Sequence, residues 1–349
     1  MIASIILIVL LAFSLLGNFA QSLSHAIGGG FNRGFKSGTA REVGPKLDEC
    51  ILEDNDSHNK IAVITVDGII TDHTPDQAGN DMVDVIQAQL DRAKDDKRVK
   101  AVILKVDSPG GEVMASDEIN KEITKFQTES KKPVVCSMGS LAASGGYYVS
   151  VPCRWIVANE LTLTGSIGVI MHGYNYRELM DKVGIAPMTY KSGLYKDMLS
   201  PDRSTNDIPP GEHAMVQALI DETYAKFKSV VRDGRQQAHA KNGSDGKALQ
   251  DDWESLADGR VLSGQQALDH GFVDQLGDFN DAVKQTKHLS GIGNEDANLI
   301  EYRERYDISD FLSMFGQSGS AHDIKLDLGV ELPKLQAGYL YFLSPTFVD

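Results

Sequence analysis

The sequence predicts an α/β fold, parallel strands joined by crossover helices, and three observations carry that reading. Apolar or β-branched runs at residues 61–66, 99–106 and 133–137 have the length and composition of buried strands. Between them, residues 83–94 and 113–126 space apolar side chains about 3.6 apart with charged residues on the opposite face, as amphipathic helices do. Strand and helix therefore alternate, the pattern of a parallel sheet covered by its own connections. No internal repeat of roughly 20 to 50 residues points to a solenoid or propeller.

Taken in order, residues 1–17 carry no ionisable side chain and are dominated by Ile and Leu, about the minimum for a helix spanning the hydrocarbon core. Residues 1–26 are read as a transmembrane anchor or signal-anchor. A cleaved signal peptide is the alternative, because Ser24-His25-Ala26 offers a small-x-small site, although no Lys or Arg precedes the apolar run. Arg33, Lys36, Arg41 and Lys46 follow, and the positive-inside rule alone would hold the rest of the chain in the cytoplasm. Residues 27–58, rich in Gly, Asn, Ser and charge, read as a linker.

The folded domain is expected over residues 59–290. A long helix over 211–240 would bury Met215, Leu219, Tyr224, Phe227, Val230 and Val231 as a stripe, and residues 278–288 form a last helix. Residues 291–349 read as a C-terminal tail. Its apolar stretch 339–343 leaves three readings open: a docking element, a late strand, or a partly disordered segment.

At 349 residues a sizeable core is within reach. The formal net charge of −15 disfavours a nucleic-acid partner, since neutralising phosphates needs clustered Lys and Arg. Cys50, Cys136 and Cys153 form no C-x-x-C and no Cys/His cluster, so no metal is expected; Cys136 and Cys153 lie in apolar surroundings, where cysteine behaves as a small hydrophobe.

Chemistry concentrates around Ser144, in Gly139-Ser140-Leu141-Ala142-Ala143-Ser144-Gly145-Gly146. A serine hydroxyl needs a neighbour to take its proton, and small residues around it let a substrate approach closely. The tight strand-to-helix transition read here would turn that hydroxyl and the Gly145 N–H into a cleft, whereas an ordinary helix cap would explain the serine alone. Gly110 and Gly111 follow Pro109 at the end of a buried strand, where backbone N–H groups can face a bound carbonyl; a plain turn is the other explanation.

Together with Asp107-Ser108-Pro109-Gly110-Gly111, the stretches Thr164-Gly165-Ser166-Ile167-Gly168, Lys191-Ser192-Gly193-Leu194-Tyr195-Lys196-Asp197 and Gly259-Arg260-Val261-Leu262-Ser263-Gly264 resemble the signal peptide peptidase A family. That family comprises membrane-anchored serine/lysine peptidases of the Clp/crotonase-like fold, built from repeated ββα units. The resemblance implies Ser144 as nucleophile, Lys196 as general base, Gly111 and Gly145 as oxyanion donors and Ser166 as a supporting hydroxyl. It implies no cofactor. Cleaved signal peptides and other short or unfolded membrane-associated peptides are the implied substrates, met by an extracytoplasmic domain beside the cell membrane.

A lysine that acts as base must be neutral, which requires lowering its pKa by roughly three units, about 4 kcal/mol, usually through burial. Asp197 would oppose this if it faced the amine, so it is expected to point away. The chain holds one Ser/Lys set, and by resemblance the complete site is assembled from neighbouring subunits of a homo-oligomeric ring. Lys191 and Ser140 are the local competitors. His172, 28 residues after Ser144, offers a Clp-like Ser/His alternative, and a crotonase-like acyl-CoA enzyme or an inactive membrane scaffold are the others. Arg260 reads as an anchor for the C-terminal segment, and Asp107 and Asp274 as turn or cap residues.

Overall fold

The computed structural model describes residues 44–72, 80–305 and 340–343. The anchor assigned to residues 1–26 lies outside them, and among the described residues no helix is long and apolar enough to cross a membrane. Strands β1 (Leu47–Glu53) and β2 (Lys60–Ile70) lead into helix α1 (Met82–Asp95), β3 (Val99–Glu112), α2 (Val113–Ser130), β4 (Val134–Ala143) and the short α3 (Gly145–Ser150). Then come β5 (Trp155–Ala158), β6 (Leu163–Gly165), α4 (Arg177–Lys182), the long α5 (Glu212–Asn242), α6 (Trp253–Leu256) and β7 (Val261–Ser263). The order closes with α7 (Gly264–Asp269), β8 (Gln275–Leu276), α8 (Phe279–Leu289), β9 (Asn298–Glu304) and β10 (Tyr341–Leu343).

These strands make one mixed sheet whose main path runs β1-β9-β2-β3-β4-β5-β8. β2, β3, β4 and β5 pair in parallel, as the alternation of strand and helix predicts, while β1 joins β9 antiparallel at the edge. Ile61, Ile64, Val66, Val102, Leu104 and Val106 are buried because helices cover both faces of these central strands. α1 starts where the Asp81 and Asp84 side chains cap one another's backbone N–H groups, and it lays Val83, Ile86, Leu90 and Ala93 on the sheet. Burying each larger side chain of that stripe contributes about 1.5–3 kcal/mol.

The sheet reaches past the limits expected from the sequence. β1 falls in the stretch read as a linker and β9 in the stretch read as tail, where β9 pairs β2 in parallel through Asn298–Glu301. β1 hid because an edge strand with one wet face carries Asp48, Glu49 and Glu53 among its apolar residues. α5 also differs from expectation: Phe227 and Val231 are fully buried, whereas Met215 and Leu219 at its other end stay exposed. Its C-terminal half meets the core, so only that half can bury a stripe.

The C-terminal half of α5 carries Arg235, whose guanidinium pairs with Asp274 at 2.7 Å, both side chains fully buried. Asp274 also accepts from the backbone N–H of Ile156 and Lys247, so it ties α5, β5 and the β8 approach together. The role read for Arg260 therefore belongs to Arg235. Arg260 is exposed and bonds Asp258, two residues back. Cys50, Cys136 and Cys153 are free thiols; burial raises the Cys153 thiol's pKa and keeps it unreactive.

Candidate active site

Two strand ends build the site. At the end of β4, Ala142 and Ala143 pair with Thr164 and Gly165 of β6, and the chain then turns sharply into α3. Ser144 makes that turn with φ 52° and ψ −115°, a region a residue with a Cβ seldom occupies. Its N–H donates to the Gly165 carbonyl at 2.8 Å and its carbonyl accepts from Tyr148 N–H, so backbone bonds hold the strained residue from both sides. Ser144 is 1 % exposed, and among the described residues its hydroxyl oxygen has no hydrogen-bond partner. It does not cap its helix. A buried hydroxyl left unpaired costs about 1–3 kcal/mol, and the backbone strain adds to that cost, so neither feature stabilises the fold.

The end of β3 supplies the second wall. Asp107 accepts from the Leu141 N–H at 3.0 Å, joining the β3 and β4 ends, and the Ser108 hydroxyl accepts from Gly110 N–H at 3.1 Å to close the turn around Pro109. Gly110 has φ 104°, which only glycine adopts without strain. A methyl group added to Gly110 would lie 2.7 Å from the Gly145 nitrogen, and one added to Gly145 would lie 3.0 Å from the Gly111 nitrogen. The two backbones are thus in van der Waals contact, and the Gly111 and Gly145 amides border one space beside Ser144. As the first residue of α3, Gly145 has an N–H with no partner inside its helix.

The structure therefore brings Ser144, Gly111 and Gly145 together and places Ser166 next to them. Ser166 is 3 % exposed with φ 51°, directly after the Gly165 that holds the Ser144 backbone, and its own N–H donates to the Arg260 carbonyl. Lys196 is not part of this cluster. It sits exposed in a surface turn, and the unpartnered Ser144 hydroxyl means that Lys196 does not reach it within one chain. Asp197 pairs with Lys191 at 2.8 Å and Arg203 at 2.9 Å rather than with Lys196, and those partners lower its pKa, Lys191 foremost. His172 is exposed with its ring against Tyr174, and it too makes no bond to Ser144.

Some residues of the site escaped the sequence reading. Ser108 had a usable signal, since a serine before Pro-Gly commonly bonds the backbone two residues on. Ser116 had none: it lies on α2, and its hydroxyl comes within 2.7 Å of where a Gly145 side chain would begin. Tyr148 and Phe227 come together only through packing of α3 on α5, their rings 5.0 Å apart.

Comparison with known proteins gives concordant findings. The model of peptidase family S49 matches residues 126–293. A protein of Enterococcus faecium, provisionally named a signal peptide peptidase SppA, is 37 % identical over 267 residues, covering 74 % of this chain and 71 % of its own length. Protease 4 of Salmonella typhi is 35 % identical over 237 residues, which cover 67 % of this chain and 35 % of that protein. The chloroplastic serine protease SPPA of Arabidopsis thaliana is 33 % identical over 227 residues, covering 64 % of this chain and 31 % of that one. The matched part of this chain thus spans about a third of the two longer relatives.

Proposed function

The chain belongs to the signal peptide peptidase A group of peptidase family S49 and is a serine peptidase, and from that premise we propose that Ser144 is its nucleophile and Lys196 its general base. The single observation that carries the assignment is the buried, unpartnered Ser144 hydroxyl on a strained residue beside the converging Gly111 and Gly145 amides. In this reading the Ser144 Oγ attacks a peptide carbonyl while its proton passes to the Lys196 Nζ. The carbonyl oxygen, now negative, is held by the Gly111 and Gly145 N–H groups, each worth about 3 kcal/mol of the barrier. The Lys196 ammonium returns the proton to the departing amine, and a water then hydrolyses the acyl-enzyme. Ser166 supports the lysine.

Lys196 comes from a neighbouring copy of the chain. What supports this is the surface around it: residues 174–199 expose Met188 (77 %), Tyr190 (88 %), Leu179 and Val183, and an apolar hollow of about 530 Å³ opens between Tyr176, Leu179 and Pro201. Contiguous apolar surface of this kind is characteristic of an interface, and cover by a second copy would also supply the desolvation a lysine base requires. The arrangement is a homo-oligomeric ring on the Clp/crotonase plan. It is tethered to the cell membrane through residues 1–26 and acts outside the cytoplasm on cleaved signal peptides and other short or unfolded membrane-associated peptides.

Mixing subunits tests this directly. Ser144→Ala and Lys196→Ala proteins are each inactive on fluorogenic peptides, and co-assembled they regain part of the activity, because a mixed pair presents one intact Ser144 to one intact Lys196. Continued inactivity in verified mixed assemblies would place the base elsewhere. Labelling of Ser144 by a fluorophosphonate separates this reading from the acyl-CoA enzyme, which needs no serine nucleophile.

A further inference from the structure

Of the described residues, 183–211 link α4 to α5 with one short 3₁₀ turn, Thr205–Asp207, and no other regular structure. Lys196 sits in this link, and the backbone bonds around it are local. Its own N–H donates to the Gly193 carbonyl at 3.4 Å and the Met198 N–H to the Tyr195 carbonyl at 3.0 Å, which shape the turn without tying it to the helices. Charge supplies the tie. Arg203 donates to Asp197, the residue after Lys196, at 2.9 Å and to both carboxylate oxygens of Glu212, the first residue of α5. The Arg203 and Glu212 side chains are 9 % and 5 % exposed, so solvent and salt screen this pair little. Glu212 also accepts from the Leu199 N–H at 3.2 Å, and Leu199 stands at φ 65°, a strained region for a residue with a Cβ that this bond helps to hold.

The same network disposes of a charge that would harm a lysine base. A free carboxylate next to Lys196 would favour its ammonium form. Asp197 instead gives both oxygens to Lys191, at 2.8 and 2.9 Å, and one of them to Arg203 as well. Lys191 and Arg203 thus balance Asp197 and Glu212, and Arg203 is the member that touches both carboxylates. The other titratable groups packed on this link are Asp202, bonded to the Ser200 hydroxyl, Tyr195, whose hydroxyl is 3.0 Å from where a Gly211 side chain would begin, and Tyr176, whose N–H donates to the Pro201 carbonyl.

We propose that Arg203 is the positioning residue of the base: it clamps the Lys196 turn to the start of α5 through Glu212 and, with Lys191, holds the Asp197 carboxylate away from the Lys196 amine. The inference deepens the reading of Lys196 as general base and rests on it.

The experiment uses the full chain in its assembled, detergent-solubilised form and follows kcat/KM for one fluorogenic peptide across pH, with thermal unfolding and light scattering showing that each variant is folded and assembled. In Arg203→Gln the released carboxylates favour the Lys196 ammonium, so the acid limb of the profile moves up by about one pH unit; activity below the limb falls roughly tenfold, and the alkaline plateau is regained. Adding Asp197→Asn to that variant removes the released charge and returns the limb most of the way, a rescue that a purely structural defect would not show. Lys191→Met, at a side chain 33 % exposed, moves the limb in the same direction by a smaller step and stands in for Arg203→Gln should that variant fail to assemble. A limb unmoved in assembled Arg203→Gln, or in Lys191→Met in its place, overturns the inference, as does a double variant displaced as far as the single one. Lys196→Ala is the separate control: retained activity would overturn Lys196 as the base, whereas its inactivity beside an unmoved limb in Arg203→Gln sinks only the role of Arg203.

Discussion

Ser144 illustrates how local strain and burial combine at a single residue. Its backbone is held at positive φ by two hydrogen bonds while its hydroxyl is buried and unpaired, so stabilising energy from the surrounding strands offsets the cost of holding this residue in place. Gly145 beside it is constrained by close approach. A Gly145→Ala methyl would press on the Ser116 hydroxyl at 2.7 Å and on the Gly111 nitrogen at 3.0 Å, prising the two amides apart. The expected result is a fall in kcat of roughly 100-fold or more, with the unfolding midpoint little changed, as for loss of one oxyanion donor. A folded Gly145→Ala enzyme with undiminished kcat would remove this amide from the mechanism.

Among the elements, β1, β2 and α1 are linked by a small ionic knot. Lys60, at the start of β2 and 5 % exposed, pairs with Glu49 of β1 and, at 3.2 Å, with Asp96 at the end of α1. Burial alone would raise the pKa of Asp96, but hydrogen bonds from the Arg98 backbone and from Lys60 outweigh it and bring the carboxyl from 3.8 down to about 2. A carboxyl whose folded pKa is depressed adds stability that is fully present above its unfolded value and is lost as pH falls through its folded value. The contribution is therefore complete above about pH 4 and gone near pH 2. Urea midpoints should show Asp96→Asn less stable than wild type at pH 7, with the gap closing between those limits; a gap constant with pH would mean the carboxylate charge contributes nothing. β2 was legible in the sequence because residues 61–66 are a continuous apolar run, whereas β1, on the far side of β9, mixes Asp48, Glu49 and Glu53 with its apolar residues and was not.

Across the whole molecule, the covered core and the bare surface divide the chain's work. The core of the sheet is closed by α1, α2, α3 and the buried half of α5, whereas residues 174–199 and the exposed half of α5 leave Tyr174, Leu179, Met188, Tyr190, Met215 and Leu219 in water. Replacing Tyr190 by Asp should leave the monomer folded, since the side chain touches little of its own core, yet reduce the assembly to smaller species by light scattering and abolish peptide hydrolysis. Unchanged mass and activity would show that this surface is not where copies meet. The sequence by itself determined the parallel centre of the sheet, the small-residue turn at Ser144 and the glycine pair, because buried strands, period-3.6 helices and backbone-exposing glycines are local patterns. Only the tertiary structure decided that Arg235 rather than Arg260 anchors the C-terminal region, that Lys196 stands apart from Ser144 within one chain, and that Phe342 returns to lie between Gly111 and Ile170. Those relations join residues distant along the chain, through packing and ladder register, and no local period in the sequence records which distant partner a side chain will meet.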